Sequence, residues 1–287
     1  MTSLLATKQI RITAVSLASN AGARNIDPVE DLVAVEEPLE IQVSSIHGPA
    51  RTVSITMRTP GNDAELAAGF LWGEGAFQRT DQILGSQAEQ NVIRTIVAPE
   101  VLDGLERLSR NFYTTSSCGV CGKTSLTALR QRTKFTINPG SPIVEADILT
   151  GIPDTVRKVQ KTFNQTGGLH GAALLEADGT LIALREDVGR HNAVDKLIGA
   201  CVLNHQLPLS GAILFLSGRA SFELLQKAYM AGIPIVAAVG APSSLAVEMA
   251  EEAGITLIGF LRGQRFNIYT SAERVRLTSS METKIER

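Results

Sequence analysis

Apolar and β-branched residues alternate with polar ones over residues 29–35, 39–46 and 51–57, which predicts three early strands. Asn62 and Asp63 then offer a cap to an apolar-containing helix that runs through Trp72, and residues 92–97 make a further strand. The front half reads as a small mixed α and β unit with a helix after its first sheet. A further alternating segment lies just after the first residues. Beyond residue 136 the pattern becomes α/β. Helices are predicted at 154–164, 192–203, 221–230 and 244–253, and strands at 172–175, 180–184, 212–216, 235–239 and 256–260. Short apolar strands separated by amphipathic helices imply an α/β layered sheet with helices covering its faces. The expected division is a smaller α+β region over residues 1–135 and an α/β domain over 136–287.

Composition narrows the class. At 287 residues the chain can bury a substantial core without disulfide staples, and 44% hydrophobic with 20% charged residues is an ordinary soluble balance. The 27 Lys plus Arg against 29 Asp plus Glu give a net charge of -2, so there is no global cationic footprint for nucleic acid, although a local basic site can still bind phosphate. The apolar stretches are short and broken by Gly, Pro or charge, and the opening residues lack the order of an export signal. The expectation is a cytoplasmic protein with no membrane or nucleic-acid partner.

Three cysteines bring the candidate chemistry. Cys118 and Cys121 lie in the run Ser-Ser-Cys-Gly-Val-Cys-Gly-Lys at residues 116–123, while Cys201 sits in an apolar run and reads as a small buried hydrophobe. A permanent disulfide is not expected in a reducing compartment. Zinc needs two further ligands, and the four histidines are widely separated, so a convergence of Cys118, Cys121, His170 and His191 is the open metal case. Disulfide exchange lacks a thioredoxin-like strand and Cys-x-x-Cys-helix framework. An inert buried pair fits poorly with the adjoining serines and glycines, which favour an accessible loop. Sulfur transfer uses the same nucleophile: a thiolate takes the outer sulfur of a donor persulfide and presents it to an acceptor. Backbone N–H groups at the start of a helix expected over 125–130, or Lys123, would favour that thiolate.

Four other segments have polar groups at turns. Phe260-Leu261-Arg262-Gly263-Gln264-Arg265 follows a predicted strand; its arginines suit phosphate and Gly263 permits close backbone approach, with a solvated arginine turn as the plainer reading. Gly167-Gly168-Leu169-His170-Gly171 offers a tight turn and a polar contact. Asp187-Val188-Gly189-Arg190-His191-Asn192 combines a pocket with a helix start, or simply a cap and a local salt bridge. Ser217-Gly218-Arg219 is an anion-facing strand end or surface packing. None is a Walker or Rossmann phosphate motif.

Taken with Met57–Gly61, Glu65–Leu71, Arg185–Lys196 and the continuation to Asn267, these segments resemble the formate dehydrogenase accessory sulfurtransferase family over most of residues 29–270. The resemblance implies a cytidine-deaminase-like layered sheet, a smaller N-terminal α+β domain and a mobile cysteine-containing loop. No His-x-Glu element followed by Pro-Cys-x-x-Cys occurs, so the fold would come without the zinc deamination reaction. The implied activity is that of a sulfurtransferase. It accepts persulfide sulfur from a cysteine desulfurase on Cys118, with Cys121 as supporting thiol, and delivers it to the molybdenum bis(molybdopterin guanine dinucleotide) cofactor required by formate dehydrogenase. The implied cofactor-binding residues are Phe260, Leu261, Arg262, Gly263, Gln264 and Arg265 with His170, Gly171, Asp187, Arg190 and Arg219. No structural metal is expected, and a homodimer fits a shared cofactor cavity.

Overall fold

The computed structural model describes residues 6–17, 24–102 and 135–277. Strands β1 (Thr7–Leu17) and β2 (Arg24–Ala34) pair as an antiparallel ribbon. Next come β3 (Glu37–Ser44), β4 (Arg51–Arg58), helix α1 (Asp63–Gly73), β5 (Ile83–Glu89) and β6 (Val92–Val97). Their four strands form one sheet in the order β4-β3-β6-β5. The remainder runs β7 (Val144–Glu145), α2 (Ala146–Val159), α3 (Lys161–Thr166), β8 (His170–Leu175), β9 (Leu181–Asp187) and α4 (Arg190–Leu203), then β10 (Ile213–Leu216), α5 (Phe222–Met230), β11 (Ile235–Ala238), α6 (Ser244–Ala253), β12 (Thr256–Arg262), β13 (Arg265–Thr270) and β14 (Val275–Arg276). Six of these strands make the larger sheet, ordered β13-β12-β11-β10-β8-β9. Within it β10, β11 and β12 are parallel, while β8, β9 and β13 each run antiparallel to a neighbour. The architecture is α/β with layered mixed sheets, as the pattern predicts.

The larger sheet is covered on both faces, which explains why β10 and β11 read as unbroken apolar runs. Period-2 alternation sorts their side chains: Leu214, Leu216 and Val236 join the core under α4, α5 and α6, whereas Ile213, Phe215 and Ile235 pack with Leu149, Ile152 and Val156 of α2.

Helix α1 connects the two sheets. Leu66 and Ala67 pack with Leu39, Ile41 and Ile93 of the smaller sheet, and Ala68, Leu71 and Trp72 share a core with Leu197 and Cys201 of α4. Burial on nearly all sides removes its amphipathic stripe. The helices meet backbone to backbone at two glycines. A Cβ on Gly69 would sit 1.9 Å from the Asp195 carbonyl oxygen, and one on Gly199 1.7 Å from that of Glu65. Trp72 Nε1 also donates to the Met230 carbonyl at 2.8 Å.

Several local expectations change. Asn62 does precede α1, but it is left-handed (φ 58°) and makes no side-chain capping bond. The Asp63 carboxylate is taken instead by Arg58, at 2.9 and 3.0 Å. The helix predicted over 154–164 is two helices: α2 starts at Ala146, and Gln160 separates it from α3. Pro153, one residue before the expected start, lies inside α2, where burial of Leu149, Ile152 and Val156 outweighs its missing N–H. Strands β5 and β13 lie outside the segments that the pattern identified. The cysteine loop with Cys118 and Cys121, and a helix expected at 125–130, fall outside the described residues. Among the described residues no helix is long and apolar enough to cross a membrane.

Candidate functional site

Strand direction brings the predicted cofactor residues together. The parallel strands β10, β11 and β12 end on one edge of the large sheet, where antiparallel β8 and β13 begin and β9 ends. His170 pairs with Asp187, and Arg262 pairs with Arg265. His170, Gly171, Asp187, Arg190, Arg219 and Phe260–Arg265 therefore line one rim. Ligands of open α/β sheets bind beyond the carboxyl ends of the parallel strands, which is this edge.

Backbone hydrogen bonds lace the loops of the rim. Val239 N–H donates to the Leu216 carbonyl at 3.0 Å, Gly240 N–H to Gly218 at 2.9 Å and Phe260 N–H to Gly240 at 3.1 Å. Ala220 N–H reaches the Ala241 carbonyl at 3.2 Å. Such close approach needs glycine at 240, where a Cβ would lie 2.9 Å from Arg219 Cγ. At Phe260 a left-handed backbone (φ 54°) coincides with a break in the β12–β13 register. That conformation costs a bulky residue about 1–3 kcal/mol. Phe260 and Arg262 point outward while Leu261 is buried in the core. Arg262 Nε donates to the Val239 carbonyl at 3.1 Å, and Arg219, Gln264 and Arg265 are exposed.

Asp187 and Arg190 begin the α4 segment in contrasting ways. Asp187 is fully buried, with Lys196 Nζ at 2.7 Å, Gly189 N–H at 2.8 Å, and Thr59 N–H and Asn192 Nδ2 both at 3.2 Å. Lys196 also donates to the Thr59 carbonyl at 2.7 Å, and Asn192 to that of Met57 at 2.7 Å. The carboxylate thus fastens the Met57–Thr59 segment to α4. Arg190, at the first position of α4, has a buried Nε with no hydrogen-bond partner among the described residues. Burial, assisted by the Arg190 charge and opposed by Asp187, holds the His170 imidazole below its ordinary range. Burial likewise pushes His191 down to about 4, although its Nε2 lies 3.1 Å from a Glu223 oxygen and 3.1 Å from Ser221 Oγ.

Beside the rim is a cavity of about 510 Å³, lined by α2, α3, the Gly167–His170 turn and the ends of β10 and β11. Gln160 and Phe163 form part of its wall. The Glu186 carboxylate, from the neighbouring strand β9, accepts from Phe163 N–H at 2.8 Å and Thr162 N–H at 3.1 Å, which satisfies the amino end of α3. Ser217, which also lines the cavity, accepts at its Oγ from Gly171 N–H at 2.8 Å. Gln160, Glu186, Ser221 and Glu223 are contributors that sequence reasoning did not single out.

The described cysteine, Cys201, is 4% exposed, and burial pushes its thiol up to about 11. It is a core residue rather than a nucleophile. Among the described residues no group of three or more His, Cys, Asp or Glu is placed to hold a metal ion.

Comparison with known proteins fits this geometry. The chain is 48% identical over 261 residues to a sulfur carrier protein FdhD of Streptomyces avermitilis, covering 87% of this chain and 91% of that protein. It is 49% identical over 258 residues to the protein of that name in Mycobacterium tuberculosis, covering 85% and 92%. The relative of that name in Sulfurisphaera tokodaii is 45% identical over 246 residues, covering 86% and 92%. A crystal structure assigned to a formate dehydrogenase accessory protein from Desulfotalea psychrophila superposes with a TM-score of 0.71 at 24% identity, over 93% of this chain and 99% of that one, which establishes a shared fold. Residues 34–276, from the end of β2 through β14 and including the whole rim, match the FdhD/NarQ family, and the chain belongs to it.

Proposed function

We propose that this chain is a sulfur carrier that accepts persulfide sulfur from a cysteine desulfurase and delivers it to the molybdenum bis(molybdopterin guanine dinucleotide) cofactor used by formate dehydrogenase. The observation that carries the reading is the meeting of the predicted cofactor residues on one sheet edge, in a chain whose close relatives are named sulfur carriers. That edge suits an elongated anionic ligand. Six strands at the usual spacing make it roughly 24 Å long. Arg219, Arg262 and Arg265 are exposed along it for phosphates, and the buried Gln160 Nε2 beside it has no partner among the described residues. Asp187 belongs to this proposal as the group that fixes the start of α4 rather than as a direct contact.

In this reading the Cys118 thiolate attacks the outer sulfur of the donor persulfide. The donor S–S bond breaks, the desulfurase cysteine leaves as thiolate, and Cys118 carries the persulfide. On delivery an electron pair of the acceptor takes that outer sulfur and Cys118 leaves as thiolate. Attack by Cys121 on Cys118 would instead expel hydrosulfide and close a disulfide, so access to the second thiol has to be controlled. Residues 1–135 carry the sulfur and 136–287 hold the acceptor. A cytoplasmic homodimer, with the cysteine loop mobile between donor and rim, completes the proposal.

The test is to load the full chain with isotopically labelled persulfide from a cysteine desulfurase and then add cofactor or apo-dehydrogenase. Label should arrive in a competent cofactor, and Cys118→Ser should abolish the protein-bound persulfide. Cofactor binding without movement of label would make the protein a cofactor chaperone instead, and normal persulfide on Cys121 in the variant would move the principal role there.

A further inference from the structure

Among the described residues the ribbon of β1 and β2 joins neither larger sheet, although its pairs run in unbroken register from Thr7↔Ala34 to Leu17↔Arg24. A two-stranded ribbon alone is marginal in water, and this one leaves Val15, Val29 and Leu32 exposed. Its two outer edges differ. Val35 N–H, continuing the register, donates inward to the Ala6 carbonyl at 2.9 Å. Hydrogen-bonding direction alternates along a strand, so the N–H groups at positions 28, 30, 32 and 34 face away from β1. Two of those positions cannot pair: Pro28 has no N–H, and Leu32 N–H is taken by Asp31 Oδ1 at 2.9 Å. The outer edge of β2 is therefore blunted. On β1 the same alternation turns the backbone groups of Thr7, Gln9, Arg11, Thr13, Val15 and Leu17 outward. The strand Thr-Lys-Gln-Ile-Arg-Ile-Thr-Ala-Val-Ser-Leu contains no Gly or Pro and is rich in β-branched residues. Roughly 37 Å of strand edge, fit for pairing, thus carries no neighbour among the described residues.

We propose that this edge pairs with the same edge of a second copy, β1 against β1 about a two-fold axis. The strand is its own complement. Antiparallel pairing centred on Ile12 engages all eleven residues, with Arg11 opposite the partner's Thr13, Lys8 opposite the partner's Ser16 and Gln9 opposite the partner's Val15. A centre on Arg11 would instead set two like charges face to face. With the Ile12 centre, Val29, Ile12, the partner's Ile12 and the partner's Val29 form one apolar row across the joined sheet. The two Ile12 residues make a non-hydrogen-bonded pair, the class in which Cα atoms approach to about 4.5 Å. Growth ends at this step, because the new outer edges are the two blunted β2 strands. The result is a closed, isologous dimer, and it requires nothing of the sulfur chemistry.

Sedimentation equilibrium of the full chain and of variants at residue 12 tests the interface. The wild type should be a dimer. Ile12→Lys and Ile12→Glu should each weaken association about tenfold or more by setting like charges opposite one another, and an equimolar mixture of the two should recover dimers. That recovery also reports that both variants are folded. Ile12→Cys, combined with Cys118→Ser and Cys121→Ser, should give a disulfide-linked dimer on mild oxidation, since the paired Cα separation lies within disulfide range. A monomeric wild type, undiminished association of the charged variants, or a mixture that stays monomeric without a cross-link at residue 12 overturns the pairing. Persulfide loading of Cys118 is read separately on the Ile12→Lys chain, so failure of the dimer and failure of the carrier reading are told apart.

Discussion

The seam between α1 and α4 and the rim of the large sheet are built from similar residues to opposite ends. Asp187, at the rim end of β9, turns inward to four protein donors that tie α4 to the Met57–Thr59 segment, and at the seam itself two glycines bring the α1 and α4 backbones into contact. At the rim, three residues after Asp187, the Arg190 Nε lies buried without a hydrogen-bond partner among the described residues, and beside the rim so does the Gln160 Nε2. A satisfied buried charge holds chain segments in register, whereas an unsatisfied buried donor is a cost that a ligand can relieve. The contrast teaches that burial of a polar residue is not by itself a sign of a binding role.

The sharpest way to break the comparison is to unbalance the seam. Lys196→Met leaves Asp187 buried without its cation and should destabilise the fold by about 4 kcal/mol in urea unfolding, with much of the loss recovered when Asp187→Asn is added. A single-variant loss below about 1 kcal/mol would mean that water reaches the carboxylate. Gly199→Ala should cost about 3 kcal/mol by driving a methyl group into the Glu65 carbonyl, read as a lowered thermal midpoint. The rim should behave in the reverse sense. Arg262→Ala should change stability by less than about 0.5 kcal/mol while weakening guanosine diphosphate binding about tenfold. Equal effects on both measurements would erase the distinction.

A last effect concerns pH. His191 titrates at about 4 in the folded chain against an ordinary 6.5, so the unfolded chain binds more protons between those values. This contribution is whole above pH 6.5 and drains as the pH falls toward 4. His191→Gln should flatten that part of the thermal-midpoint profile, and an unaltered slope would place its cause in other groups.

Local periodicity was enough for the elements whose burial is simple. Strand β6 and helix α6 start and end where the pattern puts them, because one carries an alternating apolar run and the other a serine cap and a terminal Gly254. Helix α2 was obscured because Pro153 imitates a start while distant packing keeps it internal. The rim motifs were legible as strand-end turns. Their convergence was not, since it depends on which strands run parallel. Gln160 had no local signal at all: its setting is made by Gly171 and Glu186, which come from two other strands.

The lacing of the rim loops also determines how a charged ligand must be held. Ser217, Ala220, Val239, Gly240 and Phe260 spend their N–H groups on neighbouring carbonyls, so these amides cannot form the phosphate nest that many nucleotide sites use. In the proposed function, attraction for phosphate would therefore fall to Arg219, Arg262 and Arg265, which stand in solvent. Charges so exposed are screened over a Debye length of about 8 Å at physiological ionic strength. In the proposed function, affinity for the anionic part of the acceptor would therefore weaken as salt rises.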